Sequence, residues 1–270
     1  MHPICDRRIF AVFIILVLQL GCGTLSNNGR WGEEASLFPG WERISKAAST
    51  AVLEPETWIP ALGAAAFQMG DMDEDVSEWA SDHTPVFGSQ EKAEQASDYL
   101  TGATAAAYLI TAMITPSGED PEEWTLAKLK GLGIGIAAVT TTYGVTELIK
   151  NQTDRMRPDE ADDDSFPSGH TAIGSAFAAL GSRNLRSLPL SPRNRNLLHA
   201  SFTTLAVTTG WARIEGKRHY PSDVLAGYAI GHFLAAFIND AFLGPDTNKE
   251  LTLIVDPSGD HITLGIRWVF

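Results

Sequence analysis

The chain has 270 residues, 44% of them apolar and 20% charged, with a formal net charge of −13. That length accommodates one large domain with appendages and does not call for two. The acidic balance excludes attraction to nucleic acid or anionic lipid through overall charge, so any anionic ligand must meet a local cluster of cations.

The N-terminus is laid out as an export signal. Arg7 and Arg8 precede an uncharged run of thirteen residues from Ile9 to Gly21, too short to span a bilayer comfortably. The stretch Leu18-Gln19-Leu20-Gly21-Cys22 resembles the lipobox of bacterial lipoproteins, although Gln19 stands where that motif carries an aliphatic or small residue. Residues 1–22 are therefore read as an export signal of lipoprotein type, with Cys22 as the candidate lipidation site; plain secretion or a retained anchor are the alternatives. Cleavage before Cys22 would remove Cys5 and leave no disulfide pair. Residues 23–40 are polar and contain Ser26, Asn27, Asn28 and Gly29, the composition of a tether.

From Trp41 the pattern turns helical. Segments near 41–53, 57–70, 90–115 and 169–183 carry it, along with three longer ones. Asp120-Pro121-Glu122-Glu123 combines a capping side chain, a first-turn proline and a capping box, and opens a helix running to about Lys150. Ser191-Pro192 opens another to about Trp211. Ser222 to Phe242 forms a third, stopped by Gly244-Pro245. The expected fold over residues 41–245 is all-α, a bundle of about six or seven helices. Its uncharged runs mostly fall short of a bilayer span and are rich in Ala, Gly and Thr, which favours a water-soluble bundle held at a membrane by its N-terminus. Residues 246–270 change character. Ile262, Leu264, Ile266, Trp268 and Phe270 alternate with more polar residues beyond the turn sequence Asp256-Pro257-Ser258-Gly259-Asp260, which predicts a short C-terminal β-hairpin.

Three blocks concentrate the chemistry. In the first, Lys150 and Arg157 are seven residues apart, on one face if helical, and Pro158 turns the chain away. In the second, Phe166-Pro167-Ser168-Gly169-His170-Thr171 precedes an Ala-rich helix whose free N–H groups form a ready phosphate cradle. In the third, Arg213 precedes His219, and Asp223 lies four residues on, within reach of the imidazole. His83, His199, His232 and His261 read as structural. Arg155, Lys217 and Arg218 read as solvated or substrate-edge residues. The acidic run from Asp159 to Asp164 reads as a solvated loop at the site mouth, with charge screening of substrates or recruitment of a divalent ion as the sharper alternative.

The blocks resemble the signature of the type 2 phosphatidic acid phosphatase superfamily, which includes bacterial class A acid phosphatases, membrane lipid phosphate phosphatases and vanadium-dependent haloperoxidases. The match runs through Lys150, Arg157, Pro158, Pro167, Ser168, Gly169, His170, Arg213, His219 and Asp223; Ala212 departs from the serine usual there. The resemblance implies a helical bundle of the acid phosphatase/vanadium haloperoxidase type. It also implies metal-independent hydrolysis of a phosphate monoester or pyrophosphate through a phosphohistidine. His219 is then the nucleophile, Asp223 holds its tautomer, and His170 is the general acid and base. Lys150, Arg157, Ser168, Gly169 and Arg213 bind phosphate. No metal or other cofactor is implied, and vanadate is expected to bind as a phosphate mimic.

The partners expected are a phosphorylated lipid or a small phosphomonoester, and a membrane surface, but no nucleic acid. The setting expected is the periplasmic side of a bacterial cell envelope, with anchoring by the N-terminus. Two rivals are a vanadate-dependent haloperoxidase and a non-catalytic anion-binding envelope protein. A working pair of histidines, one neutral and one protonated, predicts a bell-shaped pH–rate profile with a weakly acidic to neutral optimum.

Overall fold

Helix starts in this chain are written in its capping residues. The computed structural model describes residues 21–25 and 29–244, and the backbone alone of 251–256 and 263–268. Ser89 accepts from Lys92 N, Asp120 from Glu122 N and Glu123 N, and Ser191 from Asn194 N. Each side chain satisfies a donor that the first helical turn leaves open. Among the described residues there are eight α-helices: α1 (Trp41–Leu53), α2 (Pro55–Phe67), α3 (Met72–His83), α4 (Gln90–Ile114), α5 (Pro121–Thr153), α6 (Gly169–Asn184), α7 (Pro192–Glu215) and α8 (Pro221–Ile238). One π-helical turn, Asn239–Leu243, closes the last of them. The all-α bundle is the fold formed, with α3 as a helix that hydrophobic periodicity does not reveal.

The helix α8 runs through the middle of the bundle against α6, α2 and α5. It crosses α6 at close range because small residues line the seam. A Cβ on Gly227 would overlap the carbonyl oxygen of Ser168, and one on Gly231 would overlap that of Ala172. Ser175 Oγ donates to the Tyr228 carbonyl across the same seam at 2.9 Å. This seam seats the start of α6 beside the start of α8. The core on the far side gathers Trp31, Tyr108, Ile134, Ala138, Leu180 and Leu243. Below it a buried ionic knot joins helices: Arg183 of α6 donates to both carboxylate oxygens of Glu54 and of Asp240, at 2.8–3.1 Å.

Residues 29–40 correct the tether reading. Trp31 is buried in the core, and its ring fills the space where a Cβ on Gly131 would stand. Trp31 N donates to the Pro116 carbonyl at 2.8 Å, and Ser36 N to that of Phe242 at 2.8 Å. A polar, glycine-rich composition hid one large apolar anchor. The export signal falls almost wholly outside the described residues, of which Cys22 is one and is exposed. At the other end, Leu251–Asp256 (β1) and Thr263–Trp268 (β2) pair antiparallel, Leu251 opposite Trp268 and Asp256 opposite Thr263. Residues 257–262 between them lie outside the described residues.

Candidate active site

Six of the residues singled out by the three blocks meet in one cleft of about 540 Å³. Lys150 reaches it from the last turn of α5, and Arg157 from the loop that follows. Gly169 and His170 come from the first turn of α6, Arg213 from the last turn of α7, and His219 from the segment joining α7 to α8. Glu94, Asp98 and Thr101 of α4 form the opposite wall, with Tyr143 and Glu147 beside Lys150. Gly169 matters for space. A Cβ there would stand 3.6 Å from Lys150 Nζ, inside the volume an anion would share with that ammonium. The start of α6 also points free N–H groups into a region already ringed by cations.

His219 is buried, with 2% of its surface exposed, and its Nδ1 lies 2.7 Å from the Ser165 carbonyl oxygen. A carbonyl only accepts, so Nδ1 carries the hydrogen and the lone pair of the neutral ring is on Nε2. Burial, then the nearby Arg213 and Arg157, hold its pKa well below the ordinary imidazole value. The ring is therefore neutral at neutral pH. This geometry revises the expected role of Asp223. Its carboxylate lies 3.9 Å from Nδ1, and the Ser165 hydroxyl donates to it at 2.6 Å. Ser165 therefore holds the tautomer directly, while Asp223 stands behind as a charge. Asp223, in the first turn of α8, also accepts from Tyr220 N at 2.9 Å, which ties the residue before the helix to that turn.

His170 is the more open of the two rings, and its Nε2 lies 2.8 Å from Asp98 Oδ1. A carboxylate accepts, so Nε2 carries the hydrogen and Nδ1 is the nitrogen left to titrate. Burial and then Arg213 push this histidine below its ordinary pKa, while Asp98 works the other way. An anion bound among the cations would cancel part of their effect and favour protonation. Arg213 is pulled down to about 10 by burial and by Arg218, and so stays charged at neutral pH.

Ser168 departs from expectation. It is fully buried, its hydroxyl lies 3.0 Å from Thr171 Oγ1, and it does not line the cleft. Its backbone N–H donates to the Asp223 carbonyl at 3.0 Å, so it locks the α6 start to α8. The acidic run also has a firmer role than a solvated loop. Asp162 pairs with Arg157 at 2.6 Å and Asp159 with Arg218 at 2.8 Å, so the run is tied to two of the cations that line the cleft. Arg155 is no edge residue either. It lies between Asp73 and Asp223, at 2.8 and 2.5 Å. His232 is buried against Thr57 and Glu54, away from the cleft. Among the described residues, no three His, Cys, Asp or Glu side chains converge in a group that could hold a metal ion.

The family model of the PAP2 superfamily matches residues 131–243. The chain carries a PAP2 superfamily domain. That domain contains Lys150, Arg157, Gly169, His170, Arg213, His219 and Asp223, whereas Asp73, Glu94 and Asp98 lie ahead of it in the sequence. The chain is similar to lipid A 1-phosphatase of Rhizobium etli, 35% identical over 103 residues, which is 32% of this chain and 40% of that protein. It is also similar to lipid A 1-phosphatase of Porphyromonas gingivalis, 39% identical over 33% of this chain and 18% of that one. Phosphatidylglycerophosphatase B of Bacillus subtilis is 26% identical over 33% of this chain and 47% of its own length. The chain thus spans two fifths or less of the lipid A 1-phosphatases it matches. The crystal structure of a transmembrane PAP2 type phosphatidylglycerolphosphate phosphatase from Bacillus subtilis shares the fold. Its TM-score is 0.50 at 19% identity, covering 68% of this chain and 92% of that one.

Proposed function

We propose that the protein is a lipid phosphate phosphatase that forms a phosphohistidine on His219. The observation that carries this reading is the convergence of Lys150, Arg157, Arg213, His170 and His219 on one cleft, with the His219 lone pair left on Nε2. Phosphoryl transfer spreads negative charge over the equatorial oxygens, so catalysis needs positioned cations and an in-line nucleophile more than covalent ingenuity. The three cations and the N–H groups at the start of α6 hold the phosphate. Nε2 of His219 forms the P–N bond as the P–O ester bond breaks, and His170, protonated, gives its proton to the leaving oxygen. His170, now neutral, takes a proton from water; the hydroxide oxygen bonds to phosphorus, the P–N bond breaks, and inorganic phosphate leaves. Asp223, behind the ring, offsets the positive charge that the phosphorylated imidazole carries. No step draws on a metal, and vanadate is expected to compete for the cleft.

The lipid part of the reading is supported by the relatives' names and by the outer surface of α5. Pro121–Thr153 and Pro221–Leu243 are long and apolar enough to cross a membrane by length and composition. The second is mostly enclosed by the bundle. The first is mostly exposed and presents Leu126, Leu129, Ile136, Tyr143 and Leu148 outward. A contiguous apolar face of that kind suits contact with a membrane. The basic-then-apolar run ending at Cys22 supports export to the periplasmic side of the envelope and anchoring there.

The test is phosphate release from a panel of lipid and soluble phosphates with chelator present, wild type beside His219→Ala. Wild-type turnover is expected to survive chelation and to favour lipid phosphates, and His219→Ala to lose at least ~10³-fold. Turnover abolished by chelator but retained by His219→Ala would refute the mechanism.

A further inference from the structure

Behind His219 the structure holds a second layer of charge that the phosphate-binding machinery does not use. We propose that Asp73 and Arg155 act together as a positioning pair that keeps Asp223 aimed at the back of the nucleophilic ring, Arg155 as its counter-charge and Asp73 as the anchor that fixes Arg155 and the start of α8. The inference rests on the reading of His219 as nucleophile and adds two residues to it, one of them outside the PAP2 domain.

The geometry is closed on every side. Arg155, in the loop after α5, donates through Nη1 to Asp223 Oδ1 at 2.5 Å and to Ser222 Oγ at 2.7 Å. Its Nη2 donates to Asp73 Oδ2 at 2.8 Å, and its guanidinium stacks over the Tyr220 ring at 4.3 Å. Asp73, in the first turn of α3, accepts from Ser222 N at 2.8 Å and from the Ser222 hydroxyl, so it caps α8 from another helix. Asp223 is fully buried and Asp73 is 4% exposed. A planar guanidinium can serve two carboxylates at once in fixed directions, which a lysine cannot.

The charged and titratable groups facing Asp223 are therefore Arg155 from the loop, Asp73 from α3, and His219 and Tyr220 from the segment before α8. Burial alone works against the carboxylate, whose pKa is pushed up to about 6; Arg155 and the Ser165 hydroxyl oppose that rise and Asp73 adds to it. Arg155 in turn is disfavoured by burial, yet Asp223 and Asp73 outweigh this and hold its charge firmly. Without Arg155, Asp223 would be protonated through the working pH range and the phosphorylated ring would lose its counter-charge.

The two members thus act on Asp223 with opposite signs, and this separates positioning from a merely structural part. kcat and KM are to be measured from about pH 4 to pH 9 for wild type, Arg155→Gln, Arg155→Lys and Asp73→Asn. In Arg155→Gln the acid limb of kcat is expected to move up by roughly one pH unit or more. Its kcat should fall roughly 10- to 100-fold with KM little changed. Asp73→Asn is expected to move the acid limb down, because one negative neighbour is gone and Arg155 serves Asp223 alone. Arg155→Lys should restore the position of the limb but not the full kcat.

Acid limbs that coincide in all four proteins would overturn the pair, as would a kcat for Arg155→Gln equal to wild type. Thermal midpoints run alongside identify a variant that fails to fold; if Arg155→Gln is one, the downward movement of the limb in Asp73→Asn, against an unmoved limb and a lowered kcat in Arg155→Lys, carries the test. Wild type inert on every phosphate would instead remove the nucleophile reading. The carbon-13 carboxyl shift of Asp223, followed over the same pH range without substrate, reports the order Arg155→Gln above wild type above Asp73→Asn independently. A different order would overturn the pair even in an inert protein.

Discussion

Asp98 sits on α4, ahead of the PAP2 domain, yet its carboxylate receives the Nε2–H of His170 at 2.8 Å. That contact fixes the ring's tautomer and opposes the lowering of its pKa by burial and Arg213. The sign of its removal follows. With Asp98→Asn the opposing charge is lost, His170 gives up its proton at a lower pH, and the alkaline limb of kcat moves to lower pH. Activity should then fall roughly tenfold at neutral pH and less in mild acid. A pH–rate profile of Asp98→Asn on the preferred phosphate measures this, and an alkaline limb that stays in place would show that Asp98 does not govern His170. His219 behaves differently. Being held neutral by burial and by nearby cations, it needs no such partner for the proposed role of nucleophile, only the Ser165 carbonyl to keep its lone pair on Nε2.

At the scale of elements, close packing depends on where side chains are absent. A Cβ on Gly131 would meet the Trp31 ring, whereas the space at Gly133, one half-turn on and exposed, holds nothing within 4 Å. Gly131→Ala is thus expected to destabilise by about 1–3 kcal/mol by displacing the N-terminal segment. Gly133→Ala should be neutral or stabilise by up to about 1 kcal/mol through helix propensity. Denaturant melts of the two variants compare them directly, and equal midpoints would show that Trp31 does not dock on α5. The same helices explain what could be read from the sequence. Lys150, Arg157, Gly169, His170, Arg213 and His219 were legible because each lies at a fixed spacing within a short block, and short spacing is what a linear chain displays. Asp73, Asp98 and Ser165 were not, since they reach their partners from 149, 72 and 54 residues away. Helix α3 was hidden for a related reason: its buried face is Asp73, Ser77, Ala80 and Ser81, a polar stripe that no hydrophobic period marks. Trp31 was lost among glycines and asparagines, where one aromatic does not make a pattern.

For the molecule as a whole, the ionic knot and the candidate active site sit at opposite ends of α8. Its N-terminal turn carries Asp223 and the charge behind His219, while its C-terminal end runs into the knot of Arg183, Glu54 and Asp240. In that knot burial opposes ionisation of both acids, but Arg183 outweighs it and leaves their pKa values below the ordinary carboxylate range. Stability from such groups is present above the unfolded pKa of roughly 4 and drains away as pH falls through the folded values. Removing the cation reverses the logic. In Arg183→Met two buried carboxylates lose their nearest counter-ion, with Arg186, 3.7 Å from Glu54, left beside them; for a broken buried pair this costs about 3–5 kcal/mol, or roughly 10 °C in melting temperature for a chain of this size. Their pKa values then rise above the unfolded ones, so the variant becomes easier to fold as the acids are protonated. The deficit against wild type should therefore be larger at about pH 7 than at about pH 5. Thermal melts of both proteins at the two pH values decide the matter, and a deficit that widens in acid would mean that the carboxylates are not what Arg183 neutralises. Because the knot lies at the far end of α8 from the cleft, the pH profile of kcat in Arg183→Met should keep its wild-type limbs at temperatures where the variant is folded.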